Sequence, residues 1–281
     1  MTCAWQPLLQ VLPPQLRGAV DTVGRDKLQE LRLRLGMQPE MVMQDGNKCL
    51  SGIVNQEVLQ FVVNAACRYS PWTATTAADG YITAKGGHRI GLCGEVTIKG
   101  GTMAEVNRVT SLCIRVARDF PGIAAGAPKS GSVLIIGRPG SGKTTLLRDL
   151  IRMRSDCGKG SVAVVDERGE LFPDYQGNPC FLPGARTDVL SGCHKRQGIE
   201  LLLRAMGPTT IAVDEITAEE DTIGLLHALW CGVDLIATAH AGSITEFMKR
   251  PVYRPLIDSH VFETVLVMQP DKRWKEERLP K

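Results

Sequence analysis

Two hydrophobic rhythms divide this chain. In the N-terminal part, short stretches alternate apolar and polar residues. Leu31, Leu33 and Leu35 alternate with Arg32 and Arg34 and stop at Gly36, which predicts a strand with one buried face. Met41, Val42 and Met43 predict a returning strand before the Asp45-Gly46 turn. Leu16, Val20 and Val23 have helical spacing, and Pro7, Pro13 and Pro14 confine that helix to the residues beyond Pro14. Val58, Leu59, Val62, Val63 and Cys67 predict an amphipathic helix over 55–68. Residues 73–81 carry no assignable motif. Then 81–84, a glycine turn and 88–98 predict a hairpin, and 106–116 a further strand.

A Gly-, Pro- and Ala-rich linker, 120–131, separates this part from a second one. Beyond it, apolar runs at 133–136, 161–166, 209–214, 235–239 and 261–268 predict buried strands. Helical patterns begin at Thr145 and cover 198–206 and 218–230. Alternating strands and helices call for a doubly wound, mainly parallel α/β sheet with ligand chemistry at the strands' carboxyl ends. The expected organisation is a smaller α+β domain over 1–122 and an α/β domain over 123–281.

Chemistry enters at those strand ends. Gly137-Arg138-Pro139-Gly140-Ser141-Gly142-Lys143-Thr144, followed by Thr145, stands between a strand and a helix, the context of a phosphate-binding P-loop. Its glycines let backbone N–H groups turn toward phosphate oxygens, and the helix adds its positive N-terminal end. Lys143 is expected to reach the β- and γ-phosphates and Thr144 to ligate Mg²⁺, making ATP and Mg²⁺ the expected cofactors. A second strand ends in Asp214-Glu215, with Asp214 expected at Mg²⁺ and Glu215 at the attacking water. A third ends in Asp166-Glu167-Arg168-Gly169-Glu170, where Glu167 and Glu170 are candidates for handling water. A fourth ends in Thr238-Ala239-His240, where a neutral imidazole can sense the γ-phosphate. Arg89, between glycines that would let its backbone approach a ligand, and Arg115, Arg118 and Arg186 are candidates for stabilising transferred charge.

The bulk numbers narrow the class without changing it. The 281 residues carry 43% hydrophobic and 22% charged side chains, as in a globular protein, and a net charge of +3. That charge is too small to argue for nucleic acid. No apolar segment approaches the ~20 residues that cross a bilayer, and the first residues lack the pattern of a signal peptide. The nine cysteines have no Cys-x-x-Cys spacing, which fits a reducing cytosol. Cys193 and His194 are adjacent, with nothing nearby to complete a zinc site.

The four strand-end motifs together resemble the Walker A, Asp box, Walker B and His box of the secretion ATPases, the hexameric motors of type II and type IV secretion and of pilus retraction. Glu30-Leu-Arg-Leu-Arg-Leu-Gly36, Gly86-Gly-His-Arg-Ile-Gly-Leu-Cys-Gly94, Ile114-Arg-Val-Ala-Arg118 and Arg186-Thr-Asp-Val-Leu190 are similar to the stage III sporulation protein AA family, over about residues 20–270. The resemblance implies a RecA-like P-loop ATPase domain behind the smaller α+β domain, whose arginines complete the site. It also implies a cytoplasmic homo-hexamer that acts at a membrane through an embedded channel or secretion partner during endospore formation. The Asp214-Glu215 pair departs from the Gly-Glu of many pilus motors, and the four-cysteine zinc domain of some export ATPases is absent. Rival readings are a nucleic-acid-associated P-loop ATPase and a scaffold gated by nucleotide with little turnover.

Overall fold

The computed structural model describes residues 1–67, 80–99, 102–157, 160–175 and 178–280, so residues 73–79 of the stretch without a motif lie outside the described residues. The chain forms two compact units, residues 1–119 with 173–181 and residues 120–172 with 182–281. The short segment 173–181 thus leaves the 123–281 range and clusters with the N-terminal unit.

The first unit is built on a six-stranded antiparallel sheet. Its strands are β1 (Leu28–Arg34), β2 (Glu40–Met43), β3 (Gly46–Cys49), β4 (Tyr81–Ala84), β5 (His88–Lys99) and β6 (Thr102–Arg115), in the order β3-β2-β1-β6-β5-β4. The alternation on β1 works as expected: Leu31 and Leu33 are buried against Ile90 and Ile114, and Arg32 and Arg34 take the opposite face. Helices α1 (Trp5–Val11), α2 (Pro14–Val23) and α3 (Gln56–Cys67) contribute Leu8, Leu16, Val20, Leu59 and Val62 to the same core. Helix α1 corrects the expectation that proline excludes helix before Pro14. Pro7 sits in its first turn, where the missing N–H has no intrahelical partner to lose. Edge strand β3 is exposed along its whole length, so no apolar rhythm announced it.

The turn before β5 shows why two glycines precede His88 and Arg89. A Cβ on Gly86 would lie 2.2 Å from that of Ala4, and one on Gly87 would lie 2.7 Å from Pro173 Cγ. The close approach is therefore to other backbone segments of this unit. His88 is fully buried. The Ala117 N–H donates to its Nδ1 at 3.1 Å, so Nε2 carries the proton and donates to the Ala4 carbonyl at 2.8 Å. Burial, joined by the charge of Arg118 and opposed by the Ala4 bond, lowers its pKa to about 4 from 6.5. The stability this neutral imidazole provides is full above pH 6.5 and is lost as pH falls toward 4, by about 3 kcal/mol in all. Urea unfolding at pH 7 and pH 4.5 should show a steeper acid loss in this protein than in its His88→Gln variant. Equal losses would refute the assignment.

The second unit holds a seven-stranded sheet in the order β11-β8-β12-β13-β7-β14-β15. Its members are β7 (Val133–Gly137), β8 (Val162–Asp166), β11 (Thr187–Ser191), β12 (Thr210–Val213), β13 (Asp234–His240), β14 (Thr264–Met268) and β15 (Trp274–Arg278); β9 (Asp174–Tyr175) and β10 (Asn178–Pro179) form a small hairpin in the first unit. All neighbours pair in parallel except β14 and β15. Helices α4 (Lys143–Cys157), α5 (Lys195–Ala205), α6 (Glu219–Trp230), α7 (Ile244–Lys249) and α8 (Arg254–Asp258) complete the unit. Two strands escaped the sequence reading for one reason. Edge strands β11 and β15 are half-exposed and polar, so neither carries an apolar run. Conversely, Val261 and Phe262 are buried but precede β14, which shortens the strand expected over 261–268. No described helix is long and apolar enough to cross a membrane.

Candidate active site

Parallel register brings the strand ends of the second unit to one edge. Val165, Val213 and Ala237 pair across β8, β12 and β13, and Gly137 pairs with His240 across β7 and β13. Each polar residue that ends or follows these apolar strands therefore emerges beside the others: Asp166, Asp214, Glu215, His240 and the P-loop.

Two hydrogen-bonded groups occupy that edge. In the first, the Thr144 hydroxyl donates to Asp214 Oδ2 at 2.9 Å, and the buried Thr238 hydroxyl donates to Asp214 Oδ1 at 2.7 Å. The Glu215 N–H donates to both Asp214 Oδ1 and Thr238 Oγ1, at 3.0 and 2.9 Å. In the second, Lys143 Nζ lies 3.0 Å from His240 Nδ1 and 3.2 Å from the Arg138 carbonyl, and His240 Nε2 lies 2.9 Å from Glu215 Oε1. An ammonium only donates, so Nδ1 accepts and the Nε2 proton points at Glu215. Burial lowers the Lys143 pKa, against the opposing charges of Asp214 and Glu215. Glu215 itself has φ +33, in the left-handed region that a side chain other than glycine's adopts at a cost of roughly 1 kcal/mol.

These residues fit a nucleotide with Mg²⁺. The Thr144 hydroxyl and the Asp214 carboxylate are hard oxygen donors held within hydrogen-bond distance of each other. Ser141 Oγ, at the P-loop, is buried and without a partner among the described residues. Arg138, Pro139 and Gly140 are exposed, and Gly140 (φ +73) and Gly142 (φ +100) adopt the left-handed backbone that turns the loop. Thr145 follows in the first turn of α4.

The acidic motif after β8 divides into two tasks. Asp166 is buried and organises the loop: its oxygens accept the N–H groups of Glu170, Leu171 and Phe172 at 2.9, 3.0 and 2.9 Å. Burial raises its pKa to about 6 in spite of those bonds. Arg148 of α4 fixes the same loop from the other side, donating to the Leu171 and Glu170 carbonyls at 2.6 and 2.9 Å. Glu167, by contrast, is gripped through its side chain by Lys195 Nζ at 2.6 Å and His194 Nδ1 at 2.8 Å. Burial pushes its pKa up, but those two partners outweigh burial and hold it below the usual value. Glu167, Glu170, Asp214 and Glu215 all line one cavity, together with Lys195. Sequence reasoning missed Lys195 and Arg148 altogether.

The arginine candidates fall in different surroundings. Arg89 and Arg115, both in the first unit, are paired across β5 and β6 on the face away from the core. The Arg89 guanidinium lies 3.8 Å above the Tyr81 ring, and Arg115 Nε lies 3.5 Å from Glu30 Oε1 with most of its side chain exposed. Arg186 closes the end of α4, donating to the Ser155 and Asp156 carbonyls at 3.0 and 3.4 Å.

Comparison with known proteins gives a family and a fold. The family described as sporulation stage III, protein AA, matches residues 6–277. The stage III sporulation protein AA of Bacillus subtilis (strain 168) is 35% identical over 273 residues, covering 92% of this chain and 89% of its own. Among solved structures, the Legionella pneumophila ATPase DotB is 18% identical with a TM-score of 0.54, over 94% of this chain and 79% of that one. The pilus retraction motor PilT with bound ADP is 14% identical with a TM-score of 0.56, over 85% and 74%. The fold is that of a RecA-like P-loop ATPase.

Proposed function

This chain belongs to the sporulation stage III protein AA family, and from that premise we propose that it is a Mg²⁺-dependent ATP hydrolase working as a homo-hexameric motor. The observation that carries the reading is the line Lys143–His240–Glu215 beside the Thr144–Asp214 pair, at the strand ends where the P-loop opens. With phosphates on the P-loop amides, the Lys143 ammonium would turn from His240 toward them. Thr144 and Asp214 would hold Mg²⁺, which would supply charge neutralisation on the phosphoryl oxygens. Glu215 accepts the proton of the attacking water, and Glu167 and Glu170 line the same cavity, where either can assist. His240, released from Lys143, reports the γ-phosphate to Glu215 through its Nε2 proton. Arg89 or Arg115, of the same chain or a neighbouring copy, adds positive charge.

For force transmission we propose α4 as the relay. Asp149 accepts the N–H groups of Gly122 and Ala124 at 2.9 and 2.8 Å, and Arg154 donates to the carbonyls of Pro128, Ser130 and Gly131. The helix that carries the P-loop lysine thus holds both ends of the 120–131 linker. Arg148 and Arg152 of the same helix bind the carbonyls of Leu171 and Leu182, which flank segment 173–181. The residues of the second unit beside each crossing into the first are thus tied to α4, and we propose a nucleotide-dependent shift of this helix as the route by which hydrolysis reaches the first unit. We take that motion to drive a membrane-embedded channel or secretion partner from the cytoplasm of the mother cell.

Arg148, Arg154 and Arg186 donate to backbone carbonyls, and we take an arginine of a neighbouring copy, Arg89 or Arg115, as the candidate for the transferred charge. ATPase activity per milligram is therefore expected to rise with protein concentration as the ring forms. A flat profile down to the monomer would sink the ring.

A further inference from the structure

Helix α5 begins against its own dipole. Its first turn carries Lys195 and Arg196 and no acid, where an acidic residue would be favoured by a few tenths to 1 kcal/mol. Lys195 is also buried, with 7% of its surface exposed, and a desolvated ammonium adds little to stability even when paired. Two glycines bring it there. A Cβ on Gly198 would lie 2.6 Å from Val165 Cγ1, and one on Gly224 would lie 3.0 Å from the Arg196 Cα. Only glycine lets α5 settle this closely on β8 and on α6. The Lys195 ammonium then reaches Glu167 Oε2 at 2.6 Å and Asp221 Oδ2 at 3.5 Å.

Glu167 lines the cavity, and Asp221 lies behind the loop that forms its other wall. Glu167 follows β8 directly. Asp221 accepts the N–H groups of Thr217 and Ala218, at 2.9 and 3.2 Å, and so fixes the loop that leaves Glu215. Asp214, Glu215 and Thr217 line that side, and Glu167 and Glu170 the other. A compact, single-point cation is what joins two carboxylates from different loops in so small a space; the planar fork of arginine is not. Without it, the side-chain partner left to Glu167 among the described residues is the exposed His194, and Arg168 is the remaining cation lining the cavity.

We propose that Lys195 is a positioning residue that locks Glu167 to the loop after Glu215 and so sets the width and charge of the water-side cavity during hydrolysis. The proposal rests on the ATPase reading, and the test separates the two. Lys195→Met is expected to lower kcat roughly tenfold to a hundredfold with KM for ATP little changed, because its ion pairs are with Glu167 and Asp221 and no P-loop residue lines the cavity it shares with Glu167. It is also expected to lower Tm, since Glu167 is left half-buried with a weaker partner. Lys195→Met combined with Glu167→Gln removes both charges. Tm should recover in the double variant, while kcat stays no higher than in the poorer single variant and no lower. Recovery of kcat together with Tm would mean that the lysine is only structural. Unchanged kcat in Lys195→Met, or losses that multiply in the double variant, would also overturn the proposal. If the unmodified full-length protein binds ATP without hydrolysing it, the ATPase reading fails and takes this role with it.

Discussion

Lys143→Ala should abolish binding of ATP and ADP at concentrations that saturate the unmodified protein. Lys143 is 6% exposed, and burial works against its charge, so the chain keeps an ammonium where it is costly to keep one. Its two partners are makeshift by comparison with phosphate: a carbonyl at 3.2 Å and a neutral imidazole nitrogen at 3.0 Å. Two polyanion oxygens would replace both with charge-assisted bonds, in a site where low dielectric strengthens them. Truncating one partner of such a pair costs about 3 kcal/mol or more, a loss of roughly a hundredfold in affinity. A fluorescent nucleotide titration would measure it, with circular dichroism to confirm that the variant folds. The fold should survive, because Ala extends the α4 helix at least as well as Lys. Binding within threefold of the unmodified protein would mean that the loop from Gly137 to Thr144 is not the nucleotide site.

The P-loop was legible because its chemistry is written in contiguous residues: strand, glycines, lysine and helix follow without interruption. The other strand ends were legible for a related reason. A buried parallel strand is an unbroken apolar run, so the first polar residue after it, as at Asp166 and Asp214, marks the ligand edge. What the sequence hid depends on contacts distant along the chain. Lys195 reads as any lysine at a helix start, and only the close seating of α5 on β8 turns it inward. Its one local signal was a basic first turn opposing the helix dipole, with a strand-end glutamate available to explain it. The glycines beside Arg89 show the limit of such a signal. The flanking glycines suggested a ligand, but they make room for Ala4 and Pro173, and the Arg89 side chain lies on Tyr81. A glycine reports that something approaches closely, not what it is.

Glu215→Gln should keep nucleotide binding within a few-fold and lower turnover by roughly a hundredfold to a thousandfold, the range for loss of a general base. The substitution separates the carboxylate's two possible uses. As a hydrogen-bond acceptor, glutamine replaces glutamate: its Oε1 can take the Nε2 proton of His240, now at 2.9 Å from the carboxylate. The backbone is held independently of the side chain, by the Glu215 N–H to Asp214 and Thr238. These bonds also keep residue 215 at its positive φ, so the strain at this position persists in the variant. As a proton acceptor, the amide fails, because it has no basic oxygen near neutral pH. A structural role therefore predicts a nearly normal enzyme and a proton-abstracting role predicts a bound, stalled one. Single-turnover hydrolysis of pre-bound ATP distinguishes them without interference from product release. Wild-type turnover by Glu215→Gln would remove the base from this strand end and pass the role to Glu167 or Glu170 across the cavity. Of that pair, Glu167 is the one already held charged by Lys195, so Glu167→Gln would then be the variant that stalls.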